Sequence, residues 1–590
     1  MRSVSGYRFA IGLLQGGALS LLYLAYDERS WPATNGELFA PLLLVALLVP
    51  LLVIQSMRGL RLRTLIGWTI VATALIAALA YYDIWRAWPQ DWVSASAPPY
   101  GAWQPHILPS ARFMVALLAI LFIAHALIVS ADADSRLIAD YTIYFDVAWE
   151  QGIQLALTAI FVGVFWALMW LGAAMFELLK LDFLAQLFRH HWFWIPATTL
   201  ATAIGIHVTD ARVGLVRGTR VLALTLLALL LPLMTVLLIG FLGAPVLTGL
   251  ERLWNTRHGS ALLIFAAVVI LVLINAAYQD GPRDRHVPSL LRFSARIAAI
   301  LPLPLVALAA YALALRIAQY GWTADRILGT AAVIVVACHA IGYAWAAFAH
   351  PWLRPIERWN VYCALVTLAA LLALFSPLAD PARISVDDQM ARVENGKTPA
   401  DKLDLDYLRW DAGRYGKAAL ETVAARPGDS ASPLKTRAGL LLAAKSRYDQ
   451  QESPHPLAEN LVIHAADGKL PDSFLAQDWR VANDYNIPAC LHAATTVKCE
   501  VFVKDLKGDG SPQIIIVLGA TVSGFDRNAA GTWRLSAQWQ SFCSDMTEAL
   551  RKGEFAAAAA APSPWPDLDV AGQRLGVAPP NRFTYSCPKT

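Results

Sequence analysis

Eleven long apolar runs constrain the fold of residues 1–378 more than any other feature of the sequence. A helix needs about 20 apolar residues to cross the hydrocarbon core, because lipid offers no hydrogen bonds to an unpaired backbone. The runs have about this length, so the sequence predicts a mainly α, polytopic transmembrane helix bundle of about 11 spans. The predicted spans are residues 8–26, 38–57, 62–82, 110–130, 152–175, 190–208, 220–243, 260–277, 293–315, 328–348 and 357–376.

The distribution of charge predicts an orientation for this bundle. Loops on the side of the N-terminus hold more Lys and Arg than the opposite loops, and the turn at 58–63, RGLRLR, is a strong anchor. Because basic loops stay in the cytoplasm, the N-terminus is predicted to be inside, and an odd number of spans puts the C-terminus outside. The net charge of +4 is too small and too scattered for a nucleic-acid partner. The predicted partner is the lipid bilayer.

Residues 379–590 have an ordinary soluble composition and predict a C-terminal soluble α+β domain. We expect a helical exterior subdomain at 379–480, with two short helices within 401–425 and a third at 433–448. A small β-containing, disulfide-bearing exterior subdomain is predicted at 481–590. Its period-two patterning at 497–540 is typical of an antiparallel sheet, and a helix is predicted to follow.

Four of the six cysteines lie in this C-terminal part, at Cys490, Cys499, Cys543 and Cys587. An even number of cysteines confined to the part predicted to be outside is typical of two disulfides in an oxidising compartment. Of the three connectivities, we favour Cys490–Cys499 with Cys543–Cys587. Four free thiols in a reducing compartment are the alternative. No C-x-x-C spacing occurs, so no zinc site is predicted.

Residues 261–326 predict a helical hairpin with polar residues at both ends. These are Asn275 and Asp280 at one end and Arg316 and Tyr320 at the other. The predicted topology places the two clusters at opposite membrane faces, about 30 Å apart, so they cannot share one compact site. Pro302 and Pro304 lie between them and are the candidate working centre, because broken helices near the midplane often mark transporter binding sites. An ordinary proline kink is the alternative.

His207 and Asp210 end the sixth predicted span and are further candidates, because ionisable groups in spans are functional candidates by default. The alternative is a local Asp210–Arg212 anchor at the cytoplasmic end. His125 and His339 are lone histidines in spans, and we interpret both as hydrogen-bonded packing residues.

Catalytic and metal-binding motifs are missing from the sequence. It contains no P-loop, G-x-S-x-G, H-E-x-x-H or Gly-rich dinucleotide fingerprint, so no catalytic residue, cofactor or metal ligand is predicted. The loop at 505–513 resembles a calcium loop, but Lys507 stands between its carboxylates, and we interpret it as a hairpin turn. The tryptophan-rich loop at 83–109 predicts an aromatic belt at the bilayer interface, with a stacking surface for headgroups as the alternative.

Several membrane segments occur in an order that resembles the bacterial family described as domain of unknown function 4153. They are FVGVFWALMWLGAAMFELL, GLERLW at 249–254, INAAYQDG at 274–281 and RIAQYGWTADR at 316–326. The resemblance covers most of 1–378 and continues weakly through DLDYLRWDAGRYGKAAL. It implies a polytopic bacterial membrane protein, placed in the Gram-negative inner membrane, and it transfers no catalytic residues.

Three functions are compatible with these features. The first is an envelope sensor, scaffold or accessory protein whose periplasmic domain binds an envelope protein or lipid. The second is a transporter or lipid-handling protein that uses the proline-broken helix. The third is an enzyme resembling glycosyltransferases of lipid-linked sugars, suggested by Asp27 and Glu28, although the first outer loop is short for a catalytic platform. The sequence favours a role that is not enzymatic.

Overall fold

A computed structural model of the chain describes residues 2–87, 108–248, 259–281, 287–426, 433–444, 457–464, 469–477, 479, 487–491, 497–508, 510–528, 531–540, 544–556, 568–570 and 573–575. The chain divides into two compact units, Met1–Ala443 and Ala444–Thr590. The sequence placed a boundary at 378/379, whereas the helices that follow the last span pack into the first unit.

The first unit is helical in its described part. Its helices are α1 (Arg2–Asp27), α2 (Gly36–Ser56), α3 (Leu62–Ala87), α4 (Ala111–Asp134), α5 (Tyr141–Leu178), α6 (Phe183–Leu187), α7 (His191–Ala211), α8 (Val213–Thr248), α9 (Gly259–Tyr278), α10 (Ser289–Ile300), α11 (Pro302–Tyr320), α12 (Ala324–Ala347), α13 (Ile356–Leu374), α14 (Pro381–Glu394), α15 (Leu405–Trp410), α16 (Gly413–Ala424) and α17 (Pro433–Ala443).

Within the described residues, ten helices have the length and apolar composition to cross a membrane. They confirm the mainly α, membrane-spanning architecture. Helices α10 and α11 together make one of them, Ser289–Tyr320, with Pro302 at the start of the second segment. The sixth predicted span, 190–208, corresponds to α7, which is long enough but is not among the ten.

Helix α7 nevertheless lies antiparallel against the membrane helix α1. A Cβ at Gly12 would lie 2.9 Å from Ala203 Cβ, and a Cβ at Gly16 would lie 2.5 Å from Pro196 Cα. Such close approach needs glycine, as in other membrane helix pairs with small residues at their interface. One turn further along, Ser20 Oγ donates to His191 O at 3.3 Å.

Helix α9 lies at the centre of the largest apolar core, which it shares with α8, α10, α11 and α12. A second core joins α2, α3 and α4 with the start of α12 and the end of α13. Many large apolar side chains on the outer helix faces are exposed, as expected for a surface in contact with lipid.

Helices α14 to α17, called the exterior helices because they lie outside the set of membrane-spanning helices, have their own apolar core, with Leu405, Leu408, Leu420 and Val423 among its buried residues. The two short helices predicted within 401–425 and the third predicted at 433–448 are all present, as α15, α16 and α17. Gly413 is the position where this group approaches the bundle most closely: its φ is +55°, and a Cβ there would lie 2.2 Å from Arg86 O. Only glycine fits both requirements.

The described part of the second unit is built on a small mixed sheet. Its strands are β1 (Leu461–Ile463), β2 (Cys499–Lys504), β3 (Gln513–Leu518), β4 (Thr521–Arg527) and β5 (Trp533–Gln540), in that order, with helices α18 (Asp472–Leu475) and α19 (Ser544–Arg551) and the pair β6 (Leu568–Val570) and β7 (Gln573–Leu575). β1 and β2 are parallel, and the other pairs in the five-stranded sheet are antiparallel. The antiparallel strands confirm the period-two prediction.

Apolar side chains on both faces of this sheet are buried. Val501, Ile514 and Ile516 pack with Phe474 on one face, while Phe502 and Ile515 form a core on the other, with Leu550 of α19 packed against it. The turn between β2 and β3 has Gly508 and Gly510 at positive φ, as predicted. Asp505 accepts from both of their backbone N–H groups, so both of its carboxylate oxygens are hydrogen-bonded within the turn.

Candidate functional site

A cavity of about 580 Å³ that is open to the surface of the helix bundle lies between α4, α5, α9, α12 and α13. Most of its wall is apolar. The apolar lining residues are Phe122, Ile123, Ala126, Leu127, Phe145, Ala148, Trp149, Val272, Val361 and Ala364, and the polar ones are Tyr141, Tyr144, Asn275, His339, Asn360 and Thr367. None of these lining residues is Asp, Glu, Lys or Arg.

The exposure of Val272 shows that this space borders the central helix. Its side chain is 43% exposed, whereas its chain neighbours Leu271 and Leu273 are 6% and 5% exposed. The next turn of α9 is buried from Ala276 to Tyr278. Asn275 lies three residues after Val272, so both occupy one face of the helix and line the same cavity.

A hydrogen-bonded network of amides and phenols closes one end of the cavity. Asn360 donates through Nδ2 to Asn275 Oδ1 at 2.7 Å and to the Tyr141 hydroxyl at 3.1 Å. Tyr343 donates to Asn360 Oδ1 at 2.6 Å. The four residues come from α5, α9, α12 and α13, so the network fixes the relative positions of these helices at this level.

Two further contacts complete the surroundings of the network. The Tyr278 hydroxyl donates to Glu357 Oε1 at 2.8 Å, and neither residue is part of the cavity lining. His339 Nδ1 lies 3.0 Å from Val335 O, a contact that requires the proton on Nδ1. The cavity therefore offers a long apolar wall and one end with neutral hydrogen-bonding groups.

The structure separates the predicted residues of the 261–326 hairpin. Asn275 lines the cavity, and Asp280 follows in the turn after α9. Neither Pro302 nor Pro304 lines this cavity.

Arg316 and Tyr320 lie in the last turns of α11, at the opposite end of the hairpin. There the Arg326 guanidinium stacks over the Tyr320 ring at 5.5 Å. The turn that follows α11 contacts the first exterior helix, since Trp322 N donates to Asp388 Oδ2 at 2.8 Å.

Asp210 and His207 take part in a contact that the sequence did not indicate. Asp210 Oδ2 lies 2.7 Å from Arg8 Nη1 and 3.3 Å from Arg58 Nη1. The expected local Asp210–Arg212 anchor is therefore wrong: Asp210 pairs with arginines of α1 and of the turn between α2 and α3. Arg8 also lies 3.5 Å from His207 Nδ1 and is fully buried. The cluster ties α1, α7 and this turn together.

His125 is a packing residue, as interpreted from the sequence. It is buried, and its Nδ1 accepts from Trp68 Nε1 at 3.0 Å. His339 also has the predicted hydrogen bond, but it additionally faces the cavity.

A second buried charged cluster joins the bundle to the exterior helices. Arg86 of α3 donates to Asp83 Oδ1 at 2.7 Å and to Asp380 Oδ2 at 3.2 Å. Tyr82 also donates to Asp380 Oδ2, at 2.8 Å, and its hydroxyl lies 3.0 Å from that of Tyr415. Every carboxylate oxygen in this cluster has a donor, so its chemistry is that of a structural clamp.

One of the two predicted disulfides is present in the described residues. The structure pairs Cys490 with Cys499 as a disulfide beside β1 and β2. Cys543 and Cys587 lie outside the described residues, so the second pair and the oxidising compartment stay predictions. Among the described residues, no group of three or more His, Cys, Asp or Glu side chains is placed to hold a metal ion.

Sequence reasoning missed Asn360, Tyr343, Tyr141 and Arg8. One signal was present: Asn360 and Tyr343 are polar residues inside apolar runs, as Asn275 is. Arg8 was counted only as an inner-flank charge, although it lies within the first apolar run.

The fold and the cavity together define a polytopic helical membrane protein with a ligand-sized intramembrane space. The family model described as Domain of unknown function (DUF4153) matches residues 16–422, and the chain belongs to this family. The match includes the membrane helices and the exterior helices into α16, and it ends before the second unit. No curated protein and no solved structure matches the chain.

Proposed function

We propose that the protein binds a lipid in the cavity between α4, α5, α9, α12 and α13, as a lipid-handling membrane protein. The observation that carries this proposal is the apolar cavity of about 580 Å³ with a hydrogen-bonding end. Small-molecule sites typically have volumes of about 300–1,000 Å³, largely apolar walls and a few placed polar groups.

The position of the cavity supports the bilayer as the source of the ligand. Every helix that lines it is one of the ten with the length and composition to cross a membrane. A molecule that enters between such helices comes from lipid rather than from water. Pro302 and Pro304 have no part in this proposal, since neither borders the cavity.

The proposed location is the Gram-negative inner membrane, with the N-terminus inside and the C-terminal domain periplasmic. The packing of α7 supports an odd number of spans. Its residues contact α1 from Arg8 and Asp210 at one end to Ser20 and His191 at the other. That interval corresponds to about 18 Å of helix at 1.5 Å per residue, so α7 accompanies α1 through most of the bilayer.

A role as an envelope sensor, scaffold or accessory protein is the second proposal. The specific observation in its favour is the clamp of Arg86 and Asp380, which fastens the exterior helices to a membrane helix. A rigid connection of this kind would let a partner bound outside and a lipid bound inside influence one another. Deleting residues 380–590 should then abolish capture of an envelope partner while leaving lipid binding intact.

Native mass spectrometry of the full chain tests the lipid proposal. Protein extracted in a mild detergent should retain a lipid adduct, and Ala148→Phe should remove it, because a phenyl ring at Ala148 fills part of the cavity. The matched control is Leu168→Phe on the same helix, where the side chain is 62% exposed on the outer surface. It should keep the adduct.

Two outcomes would contradict the proposal. One is a wild-type protein that carries no lipid after gentle extraction and takes none up from added lipid. The other is equal lipid retention by Ala148→Phe and Leu168→Phe, provided that both variants unfold at the wild-type temperature.

A further inference from the structure

The polar end of the cavity has a hydrogen-bond pattern that restricts the chemistry of the ligand. The inference rests on the proposed function, since it concerns the same cavity. Asn275 determines the pattern, because its Nδ2 lies 3.0 Å from Leu271 O, where only a donor is tolerated. Its Oδ1 is therefore the atom that accepts from Asn360 Nδ2.

Each remaining amide proton then has one position. The second hydrogen of Asn360 Nδ2 points to the Tyr141 hydroxyl, and Asn360 Oδ1 accepts from Tyr343. The Tyr343 oxygen in turn accepts from Asn275 Nδ2 at 2.5 Å. The two amides and Tyr343 thus use all of their donors on one another, on Leu271 O and on the Tyr141 hydroxyl.

Tyr141 is different, because its hydroxyl oxygen acts as an acceptor in this network. Its own proton has no acceptor within hydrogen-bonding distance among the described residues. Tyr141 lines the cavity, whose wall is mostly apolar. A donor left without a partner in such surroundings is unfavourable, so an acceptor supplied by a ligand would stabilise it.

We propose that the ligand is an uncharged lipid with a carbonyl oxygen that accepts a hydrogen bond from the Tyr141 hydroxyl. The absence of Asp, Glu, Lys and Arg from the lining excludes a charged group at this depth, because an unpaired charge is strongly disfavoured in an apolar site. Diacylglycerols and membrane quinones both present a carbonyl oxygen on an apolar body, and the experiment separates these two sources.

The test measures equilibrium binding to the full chain in phosphatidylcholine nanodiscs. The probes are dioctanoylglycerol, a short-tailed benzoquinone, decane and decyl phosphate. At least one carbonyl probe should bind more tightly than decane and decyl phosphate, and the tighter of the two identifies the source. Tyr141→Phe should lower the affinity for that probe about 3- to 10-fold, the range expected for one net hydrogen bond, and leave the affinity for decane unchanged.

Tyr362→Phe is the matched control. Tyr362 is 54% exposed on α13 and does not line the cavity. This variant should bind the carbonyl probe as the wild type does.

The outcomes distinguish this inference from the proposed function. Equal affinity of wild type and Tyr141→Phe for the carbonyl probe, an equal loss in Tyr362→Phe, or tight binding of decyl phosphate would overturn the inference and leave lipid binding in place. Unchanged binding of every probe to Ala148→Phe would instead contradict the proposed function itself.

Discussion

Arg86 Nη1 and Asp380 Oδ2 lie 3.2 Å apart and connect the third membrane helix to the first exterior helix. Asp380 is fully buried, and its other oxygen caps α14 by accepting from Ala382 N and Arg383 N. One carboxylate therefore both starts the exterior helix and attaches it to the bundle. The family match over residues 16–422 includes both residues, so the attachment lies within the matched domain rather than in the second unit.

Asp380→Asn should weaken this attachment. The amide keeps an oxygen that can cap α14 but loses the charge that faces Arg86. We expect a loss of about 1.5–3 kcal/mol, the range for hydrogen bonds to charged groups. Thermal unfolding in detergent and hydrogen exchange of α14 to α16 measure it. Asp325→Asn is the control, since its pair with Arg112 is exposed and is worth about 0–1 kcal/mol. Equal effects of the two variants would refute the role of the clamp.

Gly413→Ala should separate α16 from the end of α3. A Cβ at this position would lie 2.2 Å from Arg86 O and 2.7 Å from Ala87 O, and the residue has positive φ. We expect a destabilisation of more than about 1 kcal/mol. Gly439→Ala is the control, because nothing lies within 4 Å of its Cβ position in α17, and it should stabilise by about 0.5–1 kcal/mol. A neutral Gly413→Ala variant would show that this close approach does not occur.

Asp210→Asn should destabilise the N-terminal helix pair. Arg8 is fully buried and would lose its nearest carboxylate, at a cost of about 3–5 kcal/mol. Adding Arg8→Met should restore most of the lost stability, because the uncompensated charge is then removed. The unfolding temperature in detergent measures both effects.

Asp146→Asn provides the comparison for this prediction. Its carboxylate pairs with Arg220 at 2.5 Å but is about half exposed. We expect a change of about 0–1 kcal/mol. If Asp210→Asn is as mild as this variant, the burial of Arg8 is not a feature of the folded protein.

The second unit should lose stability in acid through Asp526. Lys507 Nζ at 2.5 Å, together with Arg534, lowers the pKa of the Asp526 carboxyl below its ordinary value. Its stabilising contribution is therefore complete above the unfolded pKa of about 4 and disappears as the pH falls through the lower folded pKa. Hydrogen exchange of β3 to β5 in the full chain should show this loss, and Asp526→Asn should reduce its pH dependence. An unchanged pH profile in that variant would contradict the assignment.

The spans could be predicted because run length and hydropathy are properties of consecutive residues. Their boundaries were less certain where charge interrupts an apolar run. Helix α5 starts at Tyr141, eleven residues before its predicted span, because Asp146 and Glu150 lower the hydropathy of a continuous helix. Asp146 is paired with Arg220 of α8, a partner that hydropathy cannot supply.

The candidate site was predictable only in part. Asn275 stood out as a polar residue in an apolar run, but its partners Tyr343 and Asn360 belong to other helices and meet it through packing. The sequence pointed to Pro302 and Pro304 because a proline pair can be recognised without knowing the packing. The cavity, however, is lined by other residues. Strand β1 was missed for a similar reason: it has three residues and is defined by its pairing with β2.

Labelling with a photoactivatable lipid tests lipid occupancy of the cavity most directly. Ala126 and Phe145 line the cavity but are buried, whereas Leu168 and Leu229 are exposed on the outer surface of the bundle. A lipid with a diazirine on its acyl chain should label all four in the wild type. In Ala148→Phe, it should label only the outer pair. Labelling of the outer residues alone in the wild type, with Ala126 and Phe145 unmodified, would contradict the proposal that a lipid occupies this cavity.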